Sequence, residues 1–260
     1  MKVFSMGDRI RPGAYALRAR FARSVLLLDR ADRALFVVDR SIGPGPLNLV
    51  VADPNAFVSS DSLAIPRRAD APRFDSRLPR LDRIARARLL RTLASALPRH
   101  APPESLVSLF PPAKTLPRRQ ASRDALFQQA FGLFAAGRLA AGVKLIRGCG
   151  EGLTPSGDDF LCGWMLALRL RRILAPLPTI LICARGENRV SNAFLEMAAH
   201  GRVNVAVKNL LQAPSAARVR AVCDFGHSSG ADLLCGMKFG LEHPEFRIQN
   251  PECTTPFPPF

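Results

Sequence analysis

An eight-residue pattern occurs twice in this chain. Ser156-Gly-Asp-Asp-Phe-Leu-Cys-Gly163 aligns without gaps on Ser229-Gly-Ala-Asp-Leu-Leu-Cys-Gly236, 73 residues later, with six positions identical. A repeated loop and helix start predicts two similarly built helix ends, related by a pseudo-twofold and facing a shared pocket. Ahead of the first copy, Gly148, Gly150 and Gly152 alternate, so a tight loop is expected before the helix that Thr154-Pro155-Ser156-Gly157 opens. Thr154 or Ser156 is placed to cap that helix, and Asp158 and Asp159 fall in its first turn, where the helix dipole favours negative charge. The apolar series Phe160, Leu161, Trp164, Met165 and Leu168 predicts a buried helix. The alignment pairs Asp159 with Asp232, Ser156 with Ser229 and Thr154 with His227.

Two readings of the repeat stand side by side. In one it is a two-sided site; in the other it is a packing device, with Gly163 and Gly236 letting helices approach and the Asp residues serving as caps. For the site reading, a glycine loop leading into a helix start presents unpaired backbone N–H groups that suit phosphate or carboxylate. The candidate anion-binding residues are Gly152, Thr154, Ser156, Gly157, Asp158, Ser228, Ser229 and Gly230. No Lys-Ser or Lys-Thr pair follows the glycines, and no clear strand precedes them in a βαβ unit, which argues against a Walker loop and a dinucleotide fingerprint. Asp159 and Asp232 are candidates for polarising the substrate. Together with Asp158 they are also hard oxygen ligands that could hold a magnesium ion. His227, at the second helix entrance, is the candidate general acid. Ser156 and Ser229 lack a histidine base in a recognised arrangement, and no motif activates a cysteine.

The chain has 260 residues and a net charge of +16, carried by 32 Arg and only 5 Lys. A nucleic-acid surface would need the arginines gathered in a stripe, with aromatics interleaved. Here they are scattered and aromatics make up 7%. No specific nucleic-acid interface is therefore expected, whereas anionic small substrates or an acidic partner subunit fit. The six cysteines show no CxxC spacing and read as core residues in a reducing cytoplasm. The longest apolar run is too short to cross a bilayer, so a soluble cytoplasmic protein is expected.

Taken in order, Ser24–Leu28 and Ala34–Val38 are apolar, β-rich runs joined by a polar turn, a hairpin signal, and Leu47–Val51 follows as a third strand. Residues 1–65 are expected to be a β-rich module, a partly closed barrel, that must pack on something else. Residues 66–120 read as a linker holding an amphipathic helix over Leu81–Leu97, bracketed by Pro79 and Pro98. Residues 121–245 read as a helical domain. In it Ser122 caps a Phe-striped helix ending near Gly137, Pro178–Cys183 is a short strand or extended connector, and Ser191 caps a helix stopped by Gly201. Further helices are expected over Val203–Leu211, Ser215–Cys223 and Ser229–Leu241, with an extended tail over 246–260. The fold class is α+β.

The segments Gly152-Leu-Thr-Pro-Ser-Gly-Asp-Asp-Phe-Leu and Gly226-His-Ser-Ser-Gly-Ala-Asp-Leu-Leu, with Val190-Ser-Asn-Ala-Phe-Leu-Glu-Met-Ala-Ala-His-Gly201 between them, resemble a bacterial domain-of-unknown-function family. One branch of that family is the small subunit of oxamate carbamoyltransferase, in the allantoin branch of purine catabolism. The resemblance spans about residues 120 to 243, and Ser228 stands where the family often has Thr. It implies phosphorolysis of oxalurate to oxamate and carbamoyl phosphate in a complex with two larger subunits. The rival expectation is a non-catalytic assembly subunit.

Overall fold

The computed structural model describes residues 2–67, 70–110 and 118–243. The described residues form two compact units, one of those up to Leu78 together with Arg202–Lys208, the other of those in Pro79–Gly201 and from Asn209 onward. The expected α+β class is what the fold shows: strands gather in the first unit and helices in the second.

The first unit is a mixed seven-stranded sheet. Its strands are β1 (Val3–Gly7), β2 (Gly13–Arg20), β3 (Ser24–Leu28), β4 (Ala34–Val38), β5 (Asn48–Val51), β6 (Ser62–Ile65) and β7 (Arg73–Phe74), in spatial order β6-β2-β3-β4-β5-β1-β7. A one-turn helix, α1 (Pro54–Phe57), capped by Asp53, follows β5. The expected hairpin is β3 with β4, in the register Leu26 opposite Phe36, and the expected third strand, β5, lies parallel to β4. β4 is buried along its whole length, which is why it reads as an unbroken apolar run with no alternation. β1, β2, β6 and β7 complete the sheet that three strands could not stabilise alone. The sheet curls, so that β6 at one end and β1 and β5 towards the other line a common apolar cavity of about 240 Å³.

Residues 202–208 are tied into this unit by polar contacts. Asp8 Oδ1 accepts from Ser76 Oγ at 2.5 Å, and its Oδ2 accepts from Arg202 Nη1 at 2.8 Å. Val203 N–H donates to Ser76 O at 2.9 Å and Val205 N–H to Pro44 O at 2.9 Å. Lys208 Nζ donates to Asp75 O. Asp8→Ala is therefore expected to lower the free energy of unfolding by about 2 kcal/mol, because it strands a charged donor and a buried hydroxyl together. Chemical denaturation checks this, and a change within about 0.5 kcal/mol would mean the clamp contributes nothing.

The second unit is helical: α2 (Arg83–His100), a 3-10 turn (Leu106–Leu109), α3 (Arg118–Ala135), α4 (Leu139–Ile146), α5 (Ser156–Leu170), α6 (Leu177–Ala184), α7 (Arg189–Ala199), the end of α8 (Val205–Gln212), α9 (Ala216–Cys223) and α10 (Ser229–Glu242). α5 is buried on every side, as its near-continuous apolar sequence requires. The Phe stripe of α3 is core: Phe127 meets Phe160 of α5 with ring centroids 5.4 Å apart, and Phe131 stacks on Phe239 of α10 at 4.6 Å.

Several local expectations are corrected. α3 begins at Arg118, so Ser122 lies inside it and does not cap it. α2 runs through Pro98 to His100. The proline stands in the last turn, and that turn still closes, through Ala101 N–H on Leu97 O at 2.9 Å. Pro178–Cys183 is helical, within α6. Pro178 stands in its first turn, where a missing N–H costs nothing, and Leu177, Ile180, Leu181 and Ala184 give the buried face its three-to-four spacing. The cap of α7 is Asn188, whose side chain accepts from Val190 and Ser191 N–H, so Ser191 sits inside the first turn. The proposed extended tail lies outside the described residues.

Candidate functional site

The two copies of the repeat sit against each other, and their contacts are exchanged as a twofold would require. A Cβ on Gly163 would lie 1.8 Å from Leu233 O, and one on Gly236 would lie 1.9 Å from Phe160 O; Phe160 and Leu233 are themselves equivalent positions. α5 and α10 therefore cross in backbone contact. The helix starts repeat the device: a Cβ on Gly157 would lie 1.8 Å from Ile146 O, and one on Gly230 would lie 1.8 Å from Val222 O. Around the first start the chain turns through Gly148, Gly150 and Gly152 at φ of 65°, 115° and 98°, where an L side chain is strained.

The side chains follow the same exchange. The hydroxyl of Ser229 lies against Asp159, and that of Ser156 against Asp232, so each serine attends the carboxylate of the other copy. Thr154 Oγ1 and Ser229 Oγ share a hydrogen bond of 2.7 Å, which joins the two loops directly. Neither Thr154 nor Ser156 caps α5; its cap position is Pro155, with no side-chain hydrogen bond. Thr154 is spent instead on the second loop. Asn188 Nδ2 donates to Leu153 O at 2.9 Å and so holds the first loop from the α7 side.

Beneath the loops lie the carboxylates. Asp159 is 7% exposed and Asp232 fully buried, and Oδ2 of each has no hydrogen-bond partner among the described residues. Burial pushes Asp159 well above the ordinary carboxylate range; the Ser229 and Thr154 hydroxyls pull it down, and the charges of Asp232 and Asp158 push it up. Burial also raises Asp232, against the Leu106 N–H, the Ser156 and Ser228 hydroxyls and the Arg123 charge. Asp158 is raised by burial too, with its Oδ1 accepting from Gly148 N–H at 2.7 Å. His227, just ahead of Ser228 and Ser229, lies at the surface: its side chain is 86% exposed, and Nε2 meets Glu104 Oε1 at 2.9 Å.

Two donor groups named from the sequence are already committed. Gly157 N–H donates to Cys149 O at 2.8 Å and Gly230 N–H to Phe225 O at 3.1 Å. Gly152, Thr154, Ser228 and Ser229 reach the surface or near it, while Ser156, Gly157, Asp158 and Gly230 are buried. The three carboxylates weighed for magnesium do not converge. Asp158 and Asp232 each turn an oxygen to a backbone N–H, and among the described residues no three His, Cys, Asp or Glu side chains gather as a metal-binding group. This donor set does not fit a magnesium ion held by the three together. Burial raises the thiols of Cys149, Cys162, Cys223 and Cys235, so none of these is an activated nucleophile.

Residues 146–241 match the family model described as oxamate carbamoyltransferase subunit AllH. The paired-loop segment is AllH-like. This match bears out the family resemblance on the residues that suggested it, since it contains both loops, α5, α7 and all but the last residue of α10. It leaves out the seven-stranded sheet and the 104–124 region, including Leu106 and Arg123 beside Asp232. Nothing local in the sequence marks those two, for Leu106 acts through its backbone and lies 126 positions from the carboxylate it meets. No curated protein and no solved structure compared with the chain gives a significant match. No helix among the described residues is long and apolar enough to cross a membrane.

Proposed function

We propose that this chain is a subunit of an oxamate carbamoyltransferase, assembled with larger subunits, and that its paired loops bind the small anionic substrate. The reaction is phosphorolysis of oxalurate. A phosphate oxygen attacks the carbamoyl carbon, the bond from that carbon to the oxamate nitrogen breaks with its electron pair on nitrogen, and the nitrogen takes up a proton. One observation carries the reading: the repeat converges through the Thr154–Ser229 bond over Asp159, a carboxyl that burial keeps protonated beyond the ordinary range. Asp159 holds the proton, and the Thr154 and Ser229 hydroxyls stand between it and the surface as its route to the leaving nitrogen. Asp232 sets Ser156 and Ser228. His227, at the rim beside the second loop, would be a second proton donor to a bound anion. Ser228 and Ser229, with Thr154 and Gly152, are the groups that would meet the carboxylate.

A second reading has its own support. The committed Gly157 and Gly230 N–H groups and the four glycine contacts suit a packing device in a non-catalytic assembly subunit. Calorimetric titration of the full chain with oxamate, oxalurate and phosphate separates the two. Thr154→Val with Ser229→Ala is expected to weaken binding about tenfold, the loss of roughly one hydrogen bond to a charged group. Equal binding by variant and parent, or none by either alone or in the assembled complex, would favour the packing device.

A further inference from the structure

Residues 104–108, outside the AllH match, form a turn that touches the paired site twice. Leu106 N–H donates to Asp232 Oδ1 at 2.7 Å, and Glu104 Oε1 meets His227 Nε2 at 2.9 Å. The turn is gripped from α3. Arg123 donates from Nη1 to Glu104 O at 2.5 Å and from Nη2 to Ser105 O at 3.1 Å. The same guanidinium meets Asp124 Oδ1 through Nε at 3.2 Å and Nη2 at 3.1 Å, while Asp124 Oδ2 accepts from Ser108 Oγ at 2.6 Å. Arg123 and Asp124 side chains are only 13% and 12% exposed, so this is an enclosed network and not a surface ion pair.

We infer that Arg123 is a positioning residue for the paired site: it locks the 104–108 turn so that Leu106 N–H fixes Asp232 and Glu104 keeps His227 at the loop. The inference rests on the reading above in treating the loops as a site. Its physical basis is the planar guanidinium fork, which spans two successive carbonyls and a carboxylate at once; a lysine ammonium cannot reproduce that geometry. Among the described residues, the charged and titratable groups that act most strongly with Asp232 are Asp159 from α5, Arg123 from α3, Cys223 from α9 and Cys235 from α10 itself. Arg123 is the cation among them, so its loss removes both a charge and the support of a hydrogen bond that favour the ionised carboxylate.

The test uses the full chain with its aspartate carboxyls carbon-13 labelled, Asp232 being assigned by its disappearance in Asp232→Asn. In Arg123→Gln the Asp232 titration is expected to move up by about one pH unit or more. In the reconstituted complex, kcat should fall about tenfold with KM within about twofold, and the pH profile should shift the same way as the titration. Arg123→Lys, keeping charge but not the fork, should recover part of both. A folded Arg123→Gln chain with an unmoved Asp232 titration overturns the inference. Should that variant not fold, Arg123→Lys carries the test, and a parental titration and kcat there overturn it equally. A shifted titration in a complex indifferent to Asp159 and Asp232 substitutions would count against the loops as a substrate site, while upholding the hold of the turn on Asp232.

Discussion

Replacing Asp159 with Asn is expected to abolish at least about 99% of the activity of the assembled enzyme while leaving the chain as stable as the parent, or more so, at neutral and higher pH. The sign follows from burial. A carboxyl raised by burial binds its proton more tightly in the fold than in the unfolded chain. Folding is therefore undiminished below the ordinary carboxylate value and loses free energy as pH climbs from there through the raised value. Asn cannot ionise, so the variant escapes that loss, and its advantage in melting temperature over the parent should widen with rising pH. Asp232, raised by the same cause, should behave alike but less strongly, because Leu106 N–H and three other groups favour its charged form. Groups that act as one unit are not additive, so the double variant should be little worse than either single one. Melting curves between about pH 5 and 9, taken with turnover of the reconstituted complex, check both halves. Full turnover by the double variant would assign the chemistry to another subunit.

The second large effect is on the fold. Gly157→Val and Gly230→Val each place a side chain where a carbonyl oxygen stands 1.8 Å from the new Cβ, and backbone cannot step aside as a flexible side chain would. A loss of about 3 kcal/mol or more is expected for each, against no more than about 0.5 kcal/mol for Ser62→Ala on an exposed strand position. Urea unfolding measures it. The two glycine variants should fall by similar amounts, since the positions are equivalent across the repeat; parental stability in both would show that the helix starts are not in backbone contact.

Much of this architecture can be read from the residues, and what cannot has physical causes. The offset repeat is visible because Gly163 and Gly236 allow no substitute, and both α5 and α10 start where the pattern places them. The exchange of Ser229 to Asp159 and Ser156 to Asp232 is not visible, since it depends on how two helices cross. Strand β2 does carry an alternation, with Tyr15 buried and Arg18 and Arg20 outward, but alanines at the intervening positions blur it. β7, two residues long, gives no period at all. In α6, Thr179, Ile180 and Ile182 favour extended chain locally, and the buried face spaced over 177, 180, 181 and 184 overrides them. Asn188 takes the α7 cap from Ser191 because either residue type serves there and only the geometry chooses. His227 follows the alignment to a helix entrance, as expected, but is turned outward to Glu104, which one-dimensional spacing cannot foresee.

The return of residues 202–208 to the sheet unit has a hereditary consequence. These seven residues fall inside the stretch that matches AllH, yet their packing partners, Asp8, Pro44, Asp75 and Ser76, are encoded far upstream. A recombination event that exchanged 146–241 with a diverged relative would deliver a foreign strap to the resident sheet, and one that exchanged only the first 78 residues would orphan the strap it left behind. Residues 8 and 202 are thus coupled through one contact, and substitutions at Asp8 and Arg202 should be tolerated only in step.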